Sequence, residues 1–251
     1  MNGKFISQDP VFWEIGQSQD GMKALIDPQS QNSYSYARNN PLAYVDRNGK
    51  EPVKVYAGTI SDFVSIMNNS PRQVGMFTGS NASNYVSSLG DVSYSYRNFF
   101  KPEPSQASYY NNKEGRYIYT ENGGWVDMAH FMFYAGKAYS AKLDGDSDPM
   151  GTAVQVGFRQ EFVDISTAMH SAYSYEDLPS DWFGADFATN HFDPNSKVTL
   201  GEQVQKYFTD VLKATDPKNA TNYDKIPDKD SRNLPTYTNG TTKPRLFNKS
   251  Q

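Results

Sequence analysis

The sequence predicts a mainly α fold of the α+β class, in which short β-hairpins at the N-terminus precede a small helical domain. Two observations carry this prediction. In residues 1–50, aromatic and β-branched residues lie between Asp-Pro, Asn-Asn-Pro and Asn-Gly turn formers, which is typical of hairpins. After residue 105, apolar residues recur at helical spacing between capping residues and Gly or Pro. We therefore expect strands first and helices afterwards.

Composition indicates a globular protein and excludes several kinds of site. The chain has 251 residues, of which 37% are hydrophobic and 14% aromatic, enough for one domain or two small ones. It has no cysteine, which excludes Cys nucleophiles, thiolate metal sites, iron–sulfur clusters and disulfides. A net charge of −4 argues against a broad nucleic-acid-binding face. We expect no transmembrane segment, because no apolar run approaches about 18 residues, and no signal peptide in this chain.

Residues 51–105 are expected to form an adaptor between the hairpins and the helical domain. Val53–Tyr56 favours a strand, and Ile60–Met67 favours a short amphipathic helix. The Ser- and Asn-rich stretch Gly79–Gly90 is predicted to be a loop, and Lys101–Pro104 a stiff linker.

Four helices are predicted to follow a strand at Tyr117–Tyr119. They are expected at about Trp125–Leu143, at Ala153–His170, from the Pro179-Ser180 turn to about His191, and after Thr199. In the second helix, apolar residues recur at i, i+4, i+7 and i+11, which predicts an apolar face. These residues are Phe158, Phe162, Ile165 and Met169. From Asp216 onward the chain is polar, and we expect a coil tail.

Two sequence blocks stand out in the first fifth of the chain. One is Gly3-Lys4-Phe5-Ile6-Ser7-Gln8-Asp9-Pro10, and the other runs from Tyr34 to Lys50 with the sequence YSYARNNPLAYVDRNGK. In this order they resemble the end of the Rhs repeat-associated core, where G-R-F-I-S-x-D-P leads to Y-x-Y-x-x-N-N-P-x-x-Y-x-D-P-x-G. The chain departs from that pattern at Arg47, which replaces Pro, and in a longer spacer, Glu14–Gln31.

The resemblance implies that the chain is the C-terminal end of a bacterial Rhs/YD-repeat polymorphic toxin, an effector in bacterial competition. Residues 1–50 would then end the core, residues 106–215 would be the helical effector domain, and residues 216–251 a polar tail. The implied partners are the Rhs shell of the parent toxin and a cognate immunity protein. The implied location is outside the producing cell, secreted or delivered into a target cell as part of a larger toxin. In family members that release their toxin by self-cleavage, paired aspartates carry out the cleavage.

The positions that match those aspartates are Asp9 and Asp46. Two nearby carboxylates can share a proton and act as acid and base. The alternative is that both aspartates cap turns.

The best candidate for chemistry within the effector lies around Asp127 and His130. At positions i and i+3 of a helix these side chains share one face, with Tyr134 one turn further along, among apolar residues. A carboxylate and an imidazole are costly to bury there unless they are paired, hydrogen-bonded or liganded. Gly123 and Gly124 would let a substrate approach closely. The alternative is that Asp127 caps the helix and His130 is a satisfied core or edge histidine.

Acidic residues on two other segments are expected to complete this site. Glu161 belongs to the helix before them, and Glu176 and Asp177 precede the start of the next helix. Trp182, shortly after these carboxylates, is expected to contact the substrate. The alternative is that the carboxylates only complement the positive end of a helix dipole.

We therefore expect a hydrolase that uses Asp127 and His130 with one of these carboxylates. A divalent metal such as Zn²⁺, held by Asp127 and His130, would activate water, and a metal-free acid/base pair would use the same residues. Two further readings stay open. One is a non-enzymatic, membrane-perturbing toxin acting through the apolar helix Trp125–Ala141, and the other is an inactive orphan toxin cassette.

Overall fold

The computed structural model of the chain has the mainly α fold that the sequence predicts, with a short β element. It describes residues 44–45, 53–54, 56–91, 93–94, 102–103, 110, 115–167, 176–220 and 223. The chain divides into two compact units, residues 1–57 and residues 58–251. The finer division expected from the sequence, with boundaries after residues 50, 105 and 215, stays a prediction.

The first unit contains one described pair of strands. Strand β1 (Tyr44–Val45) pairs antiparallel with β2 (Val53–Lys54), with Tyr44 opposite Lys54. This antiparallel pairing agrees with the β-hairpins predicted for the N-terminal region. The other hairpins expected in residues 1–50 lie outside the described residues, as do Asp9 and Asp46.

Helices dominate the second unit. The α-helices of the described residues are α1 (Ile60–Asn68), α2 (Gly79–Leu89), α3 (Met128–Leu143), α4 (Pro149–Thr167), α5 (Asp177–Asp186) and α6 (Leu200–Tyr207). Helices α5 and α6 continue as π-helical turns at Phe187–His191 and Phe208–Leu212, and short 3₁₀ turns occur at Val74–Met76 and Pro217–Asn219.

The remaining described strands are short and antiparallel where their pairing is resolved. They are β3 (Ala57–Gly58), β4 (Ser93–Tyr94), β5 (Pro102–Glu103), β6 (Tyr117–Thr120) and β7 (Gly124–Asp127). Strand β4 pairs with β5, so part of the predicted linker Lys101–Pro104 is a strand. A three-stranded sheet has the order β3-β6-β7, in which Tyr117 lies opposite Asp127.

Helix α3 lies at the centre of the second unit and packs against α2, α4 and α5. Two glycines make these contacts close. A Cβ atom on Gly136 would lie 2.2 Å from the backbone nitrogen of Gly90, and one on Gly184 would lie 2.1 Å from the carbonyl oxygen of Phe131. Because only a glycine fits at such distances, α2 and α5 approach the backbone of α3 directly. The helix that carries His130 is therefore held from two sides.

Two of the predicted helices begin at a capping box, and both predictions are confirmed. Thr59 caps α1 with Asp62, and Thr199 caps α6 with Glu202, each pair exchanging side-chain and backbone hydrogen bonds. The apolar stripe of α6 and its π turn is mostly buried, as its spacing predicts. The predicted stripe consists of Val204, Phe208, Val211 and Leu212, of which all but the half-buried Val211 are buried.

The prediction of a loop at Gly79–Gly90 was wrong, because α2 occupies nearly the whole stretch. Its buried residues recur at i, i+3, i+4 and i+7, which is one face of a helix. They are Ala82, Tyr85, Val86 and Leu89. The polar Ser and Asn residues between them suggested a loop, but burial of this stripe outweighs their weak preference for turns.

The helix expected from Trp125 begins three residues later, at Met128. Gly124–Asp127 forms strand β7 instead, because it pairs along its whole length with β6. Pairing with a neighbouring strand is a long-range interaction that helical periodicity does not report. The apolar side chains of α3 enter the hydrophobic core, and no helix among the described residues is long and apolar enough to cross a membrane.

Helices α4 and α5 exist as predicted, but details differ. Helix α4 begins at Pro149, and its apolar residues Phe158 and Phe162 are exposed by 44% and 71% instead of forming a buried face. Helix α5 begins at Asp177, before the Pro179-Ser180 turn that was expected to start it. Proline is tolerated there because the amides of a first helical turn have no partner within the helix.

Candidate functional site

The predicted site lies where the end of β7, the first turn of α3 and the first turns of α5 meet. Asp127 is the last residue of β7 and the N-cap of α3, with its Oδ1 accepting hydrogen bonds from the amides of Ala129 and His130. The amide of Asp127 donates to Ser180 Oγ at 2.9 Å, and this hydroxyl donates to the carbonyl of Glu176 at 2.5 Å. Ser180 therefore ties the strand to α5.

Asp127 forms a buried ion pair with Arg116. Arg116 Nε lies 3.0 Å from both carboxylate oxygens, and Nη2 donates to Oδ2. Burial alone would raise the pKa of Asp127, but the charges of Arg116 and His130 bring it below its ordinary value. Likewise, Asp127 raises the pKa of Arg116 although burial opposes this. Asp127 is thus ionised, and the expectation that it caps the helix is confirmed by its hydrogen bonds.

His130 lies between two aspartates of α5. Its Nδ1 is 2.8 Å from Asp181 Oδ1, and its Nε2 is 3.6 Å from Asp177 Oδ1. Asp177 and Asp181 stand at i and i+4, so both face α3 from the same side of α5. Burial lowers the pKa of His130, but these two carboxylates outweigh burial and raise it well above its ordinary value.

The two aspartates are themselves strongly perturbed. Burial raises the pKa of Asp177 well above its ordinary value, and the charges of Glu176 and Glu161 add to this while His130 opposes it. Burial also raises the pKa of Asp181 to about 6, again against the effect of His130. Arg116 pairs with Asp127 and its charge also acts on Asp177, while the His130 imidazole contacts both Asp177 and Asp181. Each of these groups therefore affects the protonation of the others.

One carboxylate oxygen of Asp181 makes no hydrogen bond among the described residues. This oxygen is the buried Oδ2. It faces α4, where a Cβ atom on Gly157 would lie 2.2 Å away and would also contact the ring of Tyr134. Only a glycine at this position leaves room for the carboxylate. A buried oxygen without a partner is uncommon in folded proteins and calls for a physical reason.

The structure brings together five residues that the sequence singled out as catalytic. They are Asp127, His130, Glu161, Glu176 and Asp177, of which the four acidic residues are buried. The contacts of Arg116 with Asp127 and of Asp181 with His130 were not predicted from the sequence. Asp181 lies four residues after Asp177, a spacing that puts both on one helical face, whereas Arg116 directly precedes an apolar strand. Both signals are weak without the fold.

The residues expected to contact the substrate lie at different distances from this centre. Tyr134 is buried one turn along α3, and its ring centroid is 6.1 Å from that of His130. Trp182 is half-buried beside the ring of Phe183. Gly123 and Gly124 lie at the turn between β6 and β7, where a Cβ on Gly123 would meet Phe183 and where Gly124 has a φ of +73°. Substrate contact by these four residues stays a prediction.

A second contact between a histidine and an aspartate lies at the other end of α5. It can be compared with the contacts of His130. His191 Nε2 is 3.4 Å from Asp186 Oδ2, and Asp186 also accepts hydrogen bonds from Tyr207 and Asn190. Asp186 is therefore well satisfied by neutral donors. The His130 centre differs because two aspartates contact one imidazole.

Comparisons of this chain with protein-family models, with curated proteins and with solved structures found no match. The resemblance of the first fifth of the chain to the Rhs core therefore stays a prediction.

Proposed function

We propose that this chain is the C-terminal effector of an Rhs-type polymorphic toxin and that the effector is a hydrolase acting in bacterial competition. The two blocks at residues 3–10 and 34–50, in the order found in the Rhs core, support the toxin class. The buried carboxylate–imidazole centre supports the hydrolase, because strongly perturbed titratable groups cluster at functional sites.

The exposure and contacts of His130 are the observation that most supports a hydrolase. Its side chain is 27% exposed, whereas those of Asp177 and Asp181 are 9% and 0% exposed. Of these three groups, the imidazole is the one that water and a substrate reach. Asp181 occupies Nδ1, so Nε2 is the imidazole nitrogen left for the reactants, and the Asp177 carboxylate lies 3.6 Å from it. We assign His130 and Asp177 as the catalytic residues.

The other residues of the centre position these two. Asp181 fixes the orientation of the His130 ring through Nδ1, as a carboxylate does in hydrolytic triads. Arg116 fixes Asp127, which in turn caps the helix that presents His130. In this role Asp127 is a positioning residue, since both of its oxygens already accept hydrogen bonds from Arg116.

The membrane-perturbing alternative receives less support. It relied on the apolar residues of Trp125–Ala141, and most of these are buried in the core around α3. A toxin that inserted this segment would have to unfold that core first. A hydrolase needs no such change.

Expression of the full chain in bacteria, once in the cytoplasm and once with a periplasmic signal, tests the proposal. We expect wild type to kill in one compartment, His130→Ala to be harmless there, and His191→Ala to kill as wild type does. The killing compartment would also narrow the substrate. Killing by His130→Ala at wild-type levels would contradict the proposed site, and no killing in either compartment would indicate an inactive cassette.

The resemblance also supports two partners, an immunity protein and the parent Rhs shell. An immunity protein encoded beside the chain is expected to suppress the killing when the two are expressed together.

A further inference from the structure

We propose that His130, Asp177 and Asp127 form a divalent-cation site, with His130 Nε2 and the Asp177 carboxylate as its principal ligands. Its role in hydrolysis rests on the function proposed above, but binding of the cation does not. One potential ligand atom from each of these residues lies within 4.8 Å of the others. The site would be built from imidazole and carboxylate, a donor set that suits Zn²⁺ and related metals.

The first argument is the distance between the two principal ligands. Zn–N and Zn–O bonds are about 2.0–2.2 Å long, so two ligands of one tetrahedral ion lie about 3.4 Å apart. His130 Nε2 and Asp177 Oδ1 are 3.6 Å apart. That separation is too long for a hydrogen bond but close to what a shared ion requires.

The second argument is the arrangement behind the imidazole. A histidine that binds a metal through one nitrogen almost always donates its other N–H to a carboxylate or carbonyl, which fixes the ring and its tautomer. His130 Nδ1 is 2.8 Å from Asp181 Oδ1, and the Asp181 side chain is fully buried. Asp181 thus holds the place of the outer carboxylate in a carboxylate–histidine–metal arrangement.

The burial of the two aspartates around His130 also favours a cation, independently of the ligand spacing. Asp181 contacts His130 Nδ1 through Oδ1, while its buried Oδ2 has no hydrogen-bond partner among the described residues. Asp177 is likewise buried, and among the described residues its ion-pair contact is the 3.6 Å one to the imidazole that Asp181 also contacts. A cation between His130 and Asp177 would add positive charge beside these buried carboxylates.

The position of Asp127 defines its part in the site. Arg116 and the amide of Ala129 already occupy much of the capacity of its two oxygens. Asp127 would therefore contribute mainly its negative charge near the ion and only a weak coordination bond. A cation held here would lower the pKa of a coordinated water, which is the contribution that a hydrolase needs.

Isothermal titration of the full, chelator-treated chain with Zn²⁺, Mn²⁺ and Mg²⁺ tests the site. We expect one Zn²⁺ per chain, bound more tightly than Mg²⁺ because of the imidazole ligand. His130→Ala and Asp177→Asn should each abolish tight binding, and Asp181→Asn should weaken it by about 10–100-fold as an outer-carboxylate change does. His191→Ala is the matched control and should bind as wild type does. Absence of Zn²⁺ binding by wild type, or binding that survives both ligand substitutions, would overturn the proposal.

A measurement on wild type alone covers the case in which a variant fails to fold. The chain has three histidines, so their imidazole nitrogens can be resolved by NMR. Zn²⁺ should shift Nε2 of one histidine, His130, and leave its Nδ1 protonated toward Asp181. A shift of His170 or His191 instead, or of none, contradicts the site.

The two proposals fail separately. If His130→Ala abolishes killing but Zn²⁺ does not bind, the cation site is wrong and the hydrolase acts without it. If Zn²⁺ binds as expected but wild type kills in neither compartment, the cation site stands and the toxin function is wrong.

Discussion

His130 is held by two aspartates that differ in how they contact it. Asp181 is within hydrogen-bond distance of Nδ1, whereas Asp177 stands 3.6 Å from Nε2 and faces other carboxylates. Burial and the neighbouring carboxylates therefore disfavour the charged form of Asp177. Stability that is sacrificed at a buried charged residue is typical of a residue retained for function.

The first prediction at the residue scale concerns Asp177→Asn. Because the pKa of Asp177 is raised in the folded state, its ionised form destabilises the fold at neutral pH, and the amide removes that charge. We expect the free energy of unfolding to rise, because a group whose pKa is raised on folding costs stability at pH values above its unfolded-state pKa. Thermal unfolding of the metal-free protein measures the change. The exposed Asp91→Asn serves as control, and a Tm lowered by Asp177→Asn would contradict the account.

The second prediction concerns pH. Raised pKa values of Asp177 and Asp181 mean that the fold loses stability as pH rises from about 4 through their folded-state values, about 6 for Asp181. The raised pKa of His130 acts in the same direction, because its stabilisation is complete below about pH 6.5 and is lost above. The lowered pKa of Asp127 has the opposite effect, because the stability that it contributes is lost as the pH falls below about 4.

Urea unfolding of the metal-free chain at pH 5 and pH 8 measures this dependence. We expect a higher midpoint at pH 5, and a smaller difference between the two pH values in Asp181→Asn than in wild type. Equal pH dependence in both proteins would show that Asp181 does not titrate between them.

Much of the site could be predicted at the residue scale, and the reason is chemical. Charged residues on an apolar helix need partners, which drew attention to Asp127 and His130 before any contact was known. The identity of those partners could not be predicted. Arg116 reaches Asp127 through the pairing of two strands, and Asp181 reaches His130 through the packing of two helices. Both contacts depend on tertiary structure.

At the scale of elements, apolar spacing predicted α1 at Ile60–Met67, and Thr199 marked the start of α6. In the structure both helices begin at a capping box, which acts within one turn. Helix α2 was missed because its apolar stripe is set among Ser and Asn residues. On α4 the phenylalanine spacing identified the helix but not its buried face, where Ala153, Gly157 and Glu161 lie.

A prediction for α2 follows from its buried stripe. Leu89 is fully buried where α2 meets α3, so Leu89→Ala should lower the free energy of unfolding by about 2–5 kcal/mol. Asn81→Ala, at an exposed position of the same helix, should leave stability almost unchanged or slightly raise it. Denaturant unfolding of both variants provides the comparison. A small effect of Leu89→Ala would mean that this stretch is the loop its composition suggested.

At the scale of the whole molecule, the hydrophobic core formed by the described residues belongs to the second unit. Every residue of the main hydrophobic cluster lies between Ile60 and Leu212. The site draws on the same elements, from Arg116 to Asp181, so its geometry depends on this unit folding as a whole.

We therefore expect residues 58–251 to fold without residues 1–57 and to unfold cooperatively. Circular dichroism and thermal unfolding of that fragment, beside the full chain, measure this. A fragment that lacks a cooperative transition would show that the first unit is needed for the core.

The central claim, that His130 and Asp177 form the active centre of a toxin, is tested most directly by Asp177→Asn in living cells. The variant should fold at least as stably as wild type, so a loss of killing cannot be attributed to unfolding. Growth is measured in the compartment where wild type kills, with Asp91→Asn as control and protein levels matched. The account predicts that Asp177→Asn is harmless while the control kills, and killing by Asp177→Asn at the wild-type rate would contradict it.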